Sequence, residues 1–201
     1  MAHVSSNSEP IAFDAAGFER LDAHSWFDPQ TRDVVVLSTR QALPRSPLWV
    51  EEIGTLRREL ARMHSATGIL LEADAVALDG TTALYTLVAE SIPKARTGRR
   101  FRASFVLAKA NRTAVLTGQF EEWDISGVRE VTARVKLGTP TAGRSPHPYD
   151  PKLEYELSDD AAWDPQFPQH PLTKARAWAR TVRESAVVDA SFAALPGYRA
   201  G

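Results

Sequence analysis

An Asp-Gly pair at residues 79–80 separates two apolar runs, 69–78 and 82–92. A two-residue hairpin turn needs positive φ at both central positions, which Asp and Gly tolerate better than most residues. The pair therefore predicts two antiparallel strands in fixed register. The alternation continues beyond it. Residues 82–92 set Leu84, Thr86 and Val88 against Tyr85, Leu87 and Ala89. Residues 101–109 place Phe101, Ala103, Phe105 and Leu107 on one face, and Asn111-Arg112 turns the chain back into 113–120. The pattern predicts a four-stranded antiparallel meander, extended by the β-branched run DVVVL at 33–37.

Helical signals flank this sheet. Ser46-Pro47 supplies a cap and a first-turn proline, and Trp49, Ile53, Leu56, Leu60 and Met63 repeat at helical spacing toward Gly68. Residues 126–136 fit a short helix with a stripe of Val128, Val131 and Val135, between Gly127 and Gly138. A last helix is expected from Pro171, packing through Leu172, Ala175, Ala179, Val182 and Ala186 and fraying past Val188. One short strand is expected between residues 11 and 27. The fold class is α+β: an antiparallel meander flanked by an N-terminal amphipathic helix and C-terminal helices. The chain divides into a disordered lead at 1–10, an α+β domain at 11–137, and a tail at 138–201. The tail comprises a Pro/Gly-rich linker, an acidic segment at 150–164 and the last helix packed on the domain.

Composition bounds the function classes. The 201 residues include no cysteine, which excludes disulfides, thiolate metal sites and cysteine nucleophiles. A net charge of −1 gives no reason to expect nucleic acid or an acidic membrane. No apolar run reaches the ~18 residues of a membrane helix, and residues 1–10 lack a signal-peptide core, so the expected location is cytoplasmic. The five histidines lack zinc-ligand spacing, and phosphate-loop, dinucleotide and nucleophile-elbow motifs are absent from the sequence, so no cofactor, metal or catalytic set is assigned.

One cluster stands out. Lys94, Arg96, Arg99, Arg100, Arg102, Lys109 and Arg112 fall in two loops and their strands, with no acid between 94 and 112. Clustered arginines favour bidentate contacts with carboxylate or phosphate, which makes this a candidate binding patch for an acidic partner. Two other readings stay open: solvated strand ends, or pairing with the chain's own acidic segment. His24 with Asp28 can be drawn as a base and its orienting carboxylate, but Asp28-Pro29 is more cheaply explained as a turn. The five tryptophans are assigned to core packing, and Trp163 to anchoring the acidic segment within the chain.

The order of elements, namely the 33–38 strand, the 46–66 helix, the Asp79-Gly80 hairpin and the paired strands 101–109 and 113–120, resembles the PsbP-like superfamily over roughly residues 11–137. That group includes photosystem oxygen-evolving subunits, DcrB-type proteins and the Eag chaperones of type VI secretion. The stretch DPQFPQHPL and the helix after it are similar to the tails of actinobacterial proteins. The resemblance implies a non-catalytic adaptor or chaperone-like domain that holds a protein partner. An apolar groove would suit a helical segment and the basic rim an acidic one. A further reading is a homodimer in which a sheet-edge strand pairs across a two-fold axis. The competing reading is a small-ligand protein or enzyme with a pocket between the meander and the long helix, using His24, Asp28, Arg100 and Arg102.

Overall fold

A computed structural model describes residues 9–41, 52–92, 98–123, 127–138 and 143–198. Its elements are β1 (Ile11–Ala12), β2 (Glu19–Arg20), β3 (Ser25–Phe27), β4 (Val34–Arg40), α1 (Ile53–His64), β5 (Gly68–Leu78), β6 (Thr81–Ser91), β7 (Arg99–Ala108), β8 (Thr113–Glu121), α2 (Val128–Lys136), β9 (Arg144–Pro146), β10 (Glu154–Glu156), α3 (Pro171–Ser185), β11 (Val187–Val188) and α4 (Ala190–Ala193). Two 3-10 turns, Leu157–Asp159 and Ala161–Gln166, lie between β10 and α3.

The hairpin forms as its residues require. Asp79 and Gly80 take φ of 45° and 72°, and Leu78 pairs with Thr81 across them. The meander then adds strands in an antiparallel sheet of order β2-β3-β4-β8-β7-β6-β5. The α+β class is therefore established. Residues 11–27 form three short strands rather than the one expected, because the turns around Gly17 and Asp22 break the run.

The pleat decides what each face meets. Phe101, Ala103, Phe105 and Leu107 are fully buried on the face covered by α3, together with Leu116 and Phe120. Leu84 and Val88 face the other way and pack with Leu56, Leu60 and Ala61 of α1. Residues 172–192 send Leu172, Ala175, Trp178, Ala179, Val182, Val188 and Phe192 into the larger core, so the tail completes the domain. Full burial of a Leu or Val side chain is worth about 1.5–3 kcal/mol, which makes this stripe the main force docking α3.

Several expectations need correcting. Met63 is exposed, and Ala61 takes the inner position on α1. The valine stripe of α2 faces solvent, with Val135 at 74% exposure, while Arg129 and Ala133 face inward. Trp123 is exposed beneath the Arg32 guanidinium, 5.2 Å from its ring centroid. The chain does not fray after α3: Val187 and Val188 pair with Ala12 and Ile11. Pro10, assigned to the disordered lead, is buried, and its carbonyl accepts the Asp189 N–H. Residues 1–8, the Ser46-Pro47 start with Trp49, and residues 139–142 of the linker expected at 138–151 lie outside the described residues. The rest of that stretch is no loose linker: Arg144–Pro146 form β9, and His147 and Asp150 are buried. Among the described residues, no helix is long and apolar enough to cross a membrane.

The β5 edge is covered by side chains. Arg57 Nε donates to the Ala73 carbonyl at 2.7 Å, and the Ala73 N–H donates to the Tyr149 hydroxyl at 3.4 Å. His147 Nε2 donates to the Leu70 carbonyl at 2.7 Å, its tautomer set by the Tyr149 N–H on Nδ1.

Trp178 of α3 sits on Gly118 of β8. A Cβ there would lie 2.8 Å from Phe120 Cε2 and 2.9 Å from Trp178 Cε3, and neither ring can swing away inside the core. Gly118→Ala should therefore cost about 1–3 kcal/mol by overpacking. Urea denaturation followed by tryptophan fluorescence checks this, and an unchanged midpoint would show that α3 does not seat against β8.

Candidate functional site

The five described residues of the basic sequence cluster do not form one surface. Lys94 and Arg96 lie outside the described residues. The alternation of β7 sends Arg99 to the α3 face and Arg100 and Arg102 to the opposite one. Arg100 pairs with Glu121, its cross-strand neighbour on β8. Arg102 Nη2 donates to Glu90 Oε1 at 2.5 Å. Lys109 is nearly buried, and its Nζ donates to the Ala193 carbonyl at 2.7 Å, closing the end of α4. Arg112 is exposed and lines a cleft with His24. His24 is itself exposed and does not meet Asp28, which is spent on a turn. Its Oδ1 accepts the Gln30 N–H at 2.8 Å and its Oδ2 the Thr31 hydroxyl at 2.8 Å.

Arg99 meets the acidic segment directly. Its two terminal nitrogens donate to the two oxygens of Asp159 at 2.8 and 2.7 Å, a bidentate pair, and Nη1 also reaches Glu156 at 3.4 Å. Burial alone would lower the pKa of this guanidinium, but the adjoining Asp159, Glu156 and Glu130 charges outweigh it and hold the proton more tightly than usual.

Two more arginines join the network. Arg129 of α2 is fully buried: Nε donates to the Ser158 carbonyl at 2.6 Å, Nη2 to the Asp160 carbonyl at 2.9 Å, and Nη1 to Asp164 Oδ1 at 2.9 Å and the Thr173 hydroxyl at 3.0 Å. Arg176 of α3 donates to Glu72 at 2.5 Å, to Asp164 at 3.0 Å and to the Asp159 carbonyl at 2.8 Å. Trp163 is anchored within the chain, donating to the Leu157 carbonyl at 3.1 Å.

Beside this network a cleft of about 610 Å³ opens between α3, the Ala161–Gln166 turn and the sheet. Glu72, Tyr85, Asp164 and Arg176 form its polar side, Ala161, Pro165, Pro168 and Ala179 its apolar side, and Arg180 and Arg183 complete the lining. The carboxylates are already engaged: Glu72 accepts from Arg176 and from the Tyr85 hydroxyl, and Asp164 from Arg129, Arg176 and Thr173. Burial, then the Glu72 charge, raise the Tyr85 pKa, so its hydroxyl stays a donor. Arg180 and Arg183 are exposed and have no hydrogen-bond or ion-pair partner among the described residues. The apolar stripe of the last helix is readable in the sequence, and a second row beside it, Arg176-x₃-Arg180-x₂-Arg183, shares its helical spacing.

A second cleft, of about 350 Å³, lies between α1, the start of β5 and the β9–β10 hairpin. This is where a pocket between meander and long helix was expected. Its histidine, His147, is spent on structure at both ring nitrogens.

Glu122, Glu130 and His170 carry donor atoms within 4.8 Å of one another, a spacing that suits one metal ion. The hydrogen bonds oppose that use. The Leu172 N–H donates to His170 Nδ1 at 3.2 Å, capping α3, so the ring proton sits on Nε2 and is given to Glu122 Oε1 at 2.9 Å. The other Glu122 oxygen accepts the Arg99 N–H at 2.9 Å, and the Arg99 guanidinium lies 3.8 Å from Glu130. Ligation by Nε2 would require the ring proton on Nδ1, where the Leu172 N–H already donates. Both Glu130 oxygens are buried without a hydrogen bond among the described residues. Burial first, and the Glu122 charge further, raise the Glu130 pKa, against its own backbone N–H, Arg99 and His170.

Compared with models of known protein families and with curated proteins, the chain matches none.

Two measurements probe this region. Arg129→Met leaves Asp164 and two carbonyls short of a buried donor and should cost about 3–5 kcal/mol. A loss under ~1 kcal/mol in thermal and urea unfolding would mean that the clamp is dispensable. Glu130 holds its proton more tightly folded than unfolded. Its contribution is thus fully present below the unfolded pKa and is lost as pH rises through the folded one. Glu130→Gln should be more stable than the parent above that range, with the gap closing toward acid. A gap independent of pH would show that Glu130 does not titrate upward.

Proposed function

We propose that this chain is a non-catalytic binding domain that holds a segment of a protein partner in the cleft between α3 and the sheet. The observation that carries the reading is the contrast inside that cleft. Arg176, Asp164 and Glu72 are consumed by one another, whereas Arg180 and Arg183 stand exposed beside a floor of Ala161, Pro165, Pro168 and Ala179. Small apolar residues bordered by unengaged guanidinium groups suit a peptide, which offers apolar contact and charge together. The resemblance to the PsbP-like superfamily, whose members mostly bind proteins, points the same way as an analogy of architecture. The adaptor or chaperone-like role, and the cytoplasm as its place, belong to the same proposal.

The small-ligand and enzyme reading relied on His24, Asp28, Arg100 and Arg102, and those residues occupy separate structural roles: an exposed ring, a turn, and two cross-strand ion pairs with Glu121 and Glu90.

Site-specific photocrosslinking in the native host tests the binding reading. A crosslinker in place of Arg183 should trap a discrete partner that one in place of Arg112, outside this cleft, does not. Equal trapping at both positions, or none at Arg183, would refute the assignment of the cleft.

A further inference from the structure

We propose that the segment held in this cleft is acidic and extended, with two carboxylates placed two residues apart. The inference rests on the cleft being the partner site and adds the chemistry of what enters it. Arg180 and Arg183 are three residues apart on α3, so they project as neighbours, with Cβ atoms about 5–6 Å apart. In an extended chain, residues i and i+2 point to the same side, about 6.4–6.8 Å apart. An acidic-x-acidic segment therefore presents its two acidic side chains at nearly the spacing of the two arginine Cβ atoms. Adjacent carboxylates point to opposite sides and engage only one.

The charge count at the cleft favours this occupant. Glu72 and Asp164 would repel an anion if free, but Arg176, Arg129, Tyr85 and Thr173 already bind them. The two unengaged charges of the lining are both positive. A guanidinium reads a carboxylate through paired N–H donors, whereas a cationic segment would meet two like charges. The row from Arg176 to Arg183 rises about 10 Å along the helix, the length of roughly three extended residues. The intervening residue of an acidic-x-acidic segment then turns away from the arginines, and the segment's flanks meet the Pro165, Pro168 and Ala179 surface.

NMR titration of the isotopically labelled full chain provides the test. The probes are two capped hexapeptides of one composition, GEAEAG and GEEAAG, and the lysine counterpart GKAKAG. GEAEAG should shift α3 amides around 180–183 and bind at least fivefold more tightly than GEEAAG. The lysine peptide should leave those amides unmoved. Arg180→Glu with Arg183→Glu should weaken GEAEAG at least tenfold with an unchanged far-UV circular dichroism spectrum. Arg112→Glu with Arg134→Glu, at exposed positions outside the cleft, should leave binding within twofold. Added salt should weaken binding.

Equal binding of GEAEAG and GEEAAG overturns the spacing argument. Equal response to inorganic phosphate at matched ionic strength makes the site a general anion site and overturns the peptide assignment. A partner crosslinked at position 183 without any response to GEAEAG leaves the binding domain standing and overturns the acidic segment alone. Peptide response that survives the double reversal overturns the site.

Discussion

The fully buried guanidinium of Arg129 is the contact on which the surrounding architecture turns. A buried cation is tolerable only when its donors are met, and here they are met by two backbone carbonyls, a carboxylate and a hydroxyl from the segment that follows. Satisfying it fixes which face of α2 turns inward. It also ties the two 3-10 turns together and engages Asp164 and Thr173 at the approach to α3. Arg99 and Arg176 repeat the device from β7 and α3 against Asp159 and Asp164. Asp159 of the acidic segment is thus fully buried, and the segment is held against the domain by three arginines from three elements.

Strands and hairpins were legible because period-two alternation and the Asp79-Gly80 turn are local signals. The paired strands 101–109 and 113–120 and the strand at 33–38 all occur close to the expected bounds. The last helix was legible for the same reason, since Leu172, Ala175, Ala179 and Val182 do face the core. The failures share a cause too. Val128, Val131 and Val135 make a textually good stripe, yet the helix turns it outward, because turning Arg129 out would strip the Ser158 carbonyl of its donor and break the contacts to Asp160, Asp164 and Thr173, which outweighs the gain from three small apolar side chains. Hydrophobic periodicity cannot register a partner that lies 29 to 44 residues further along the chain.

The basic cluster shows a related limit. Its residues are near one another in sequence, but the pleat sends Arg99 to one face and Arg100 and Arg102 to the other, where cross-strand acids take them. The absence of acids between 94 and 112 gave no hint of this, since the partners sit on β6, on β8 and in the tail. In the sequence nothing separates Arg180 and Arg183 from ordinary solvated charges beside the apolar stripe of their own helix. Their distinction arises only when the neighbouring carboxylates are seen to be already occupied.

The covering of β5 bears on how the protein behaves while it is being made. Arg57 and the pair Tyr149 and His147 that block this strand come from opposite sides of it in sequence, one before and two well after. During synthesis the strand emerges long before the hairpin that shields it. For that interval the nascent chain carries an open template for pairing with its neighbours on the same polysome. The shield is completed only when residues past 149 leave the ribosome, so slow elongation through 79–149 lengthens the exposure and faster elongation shortens it.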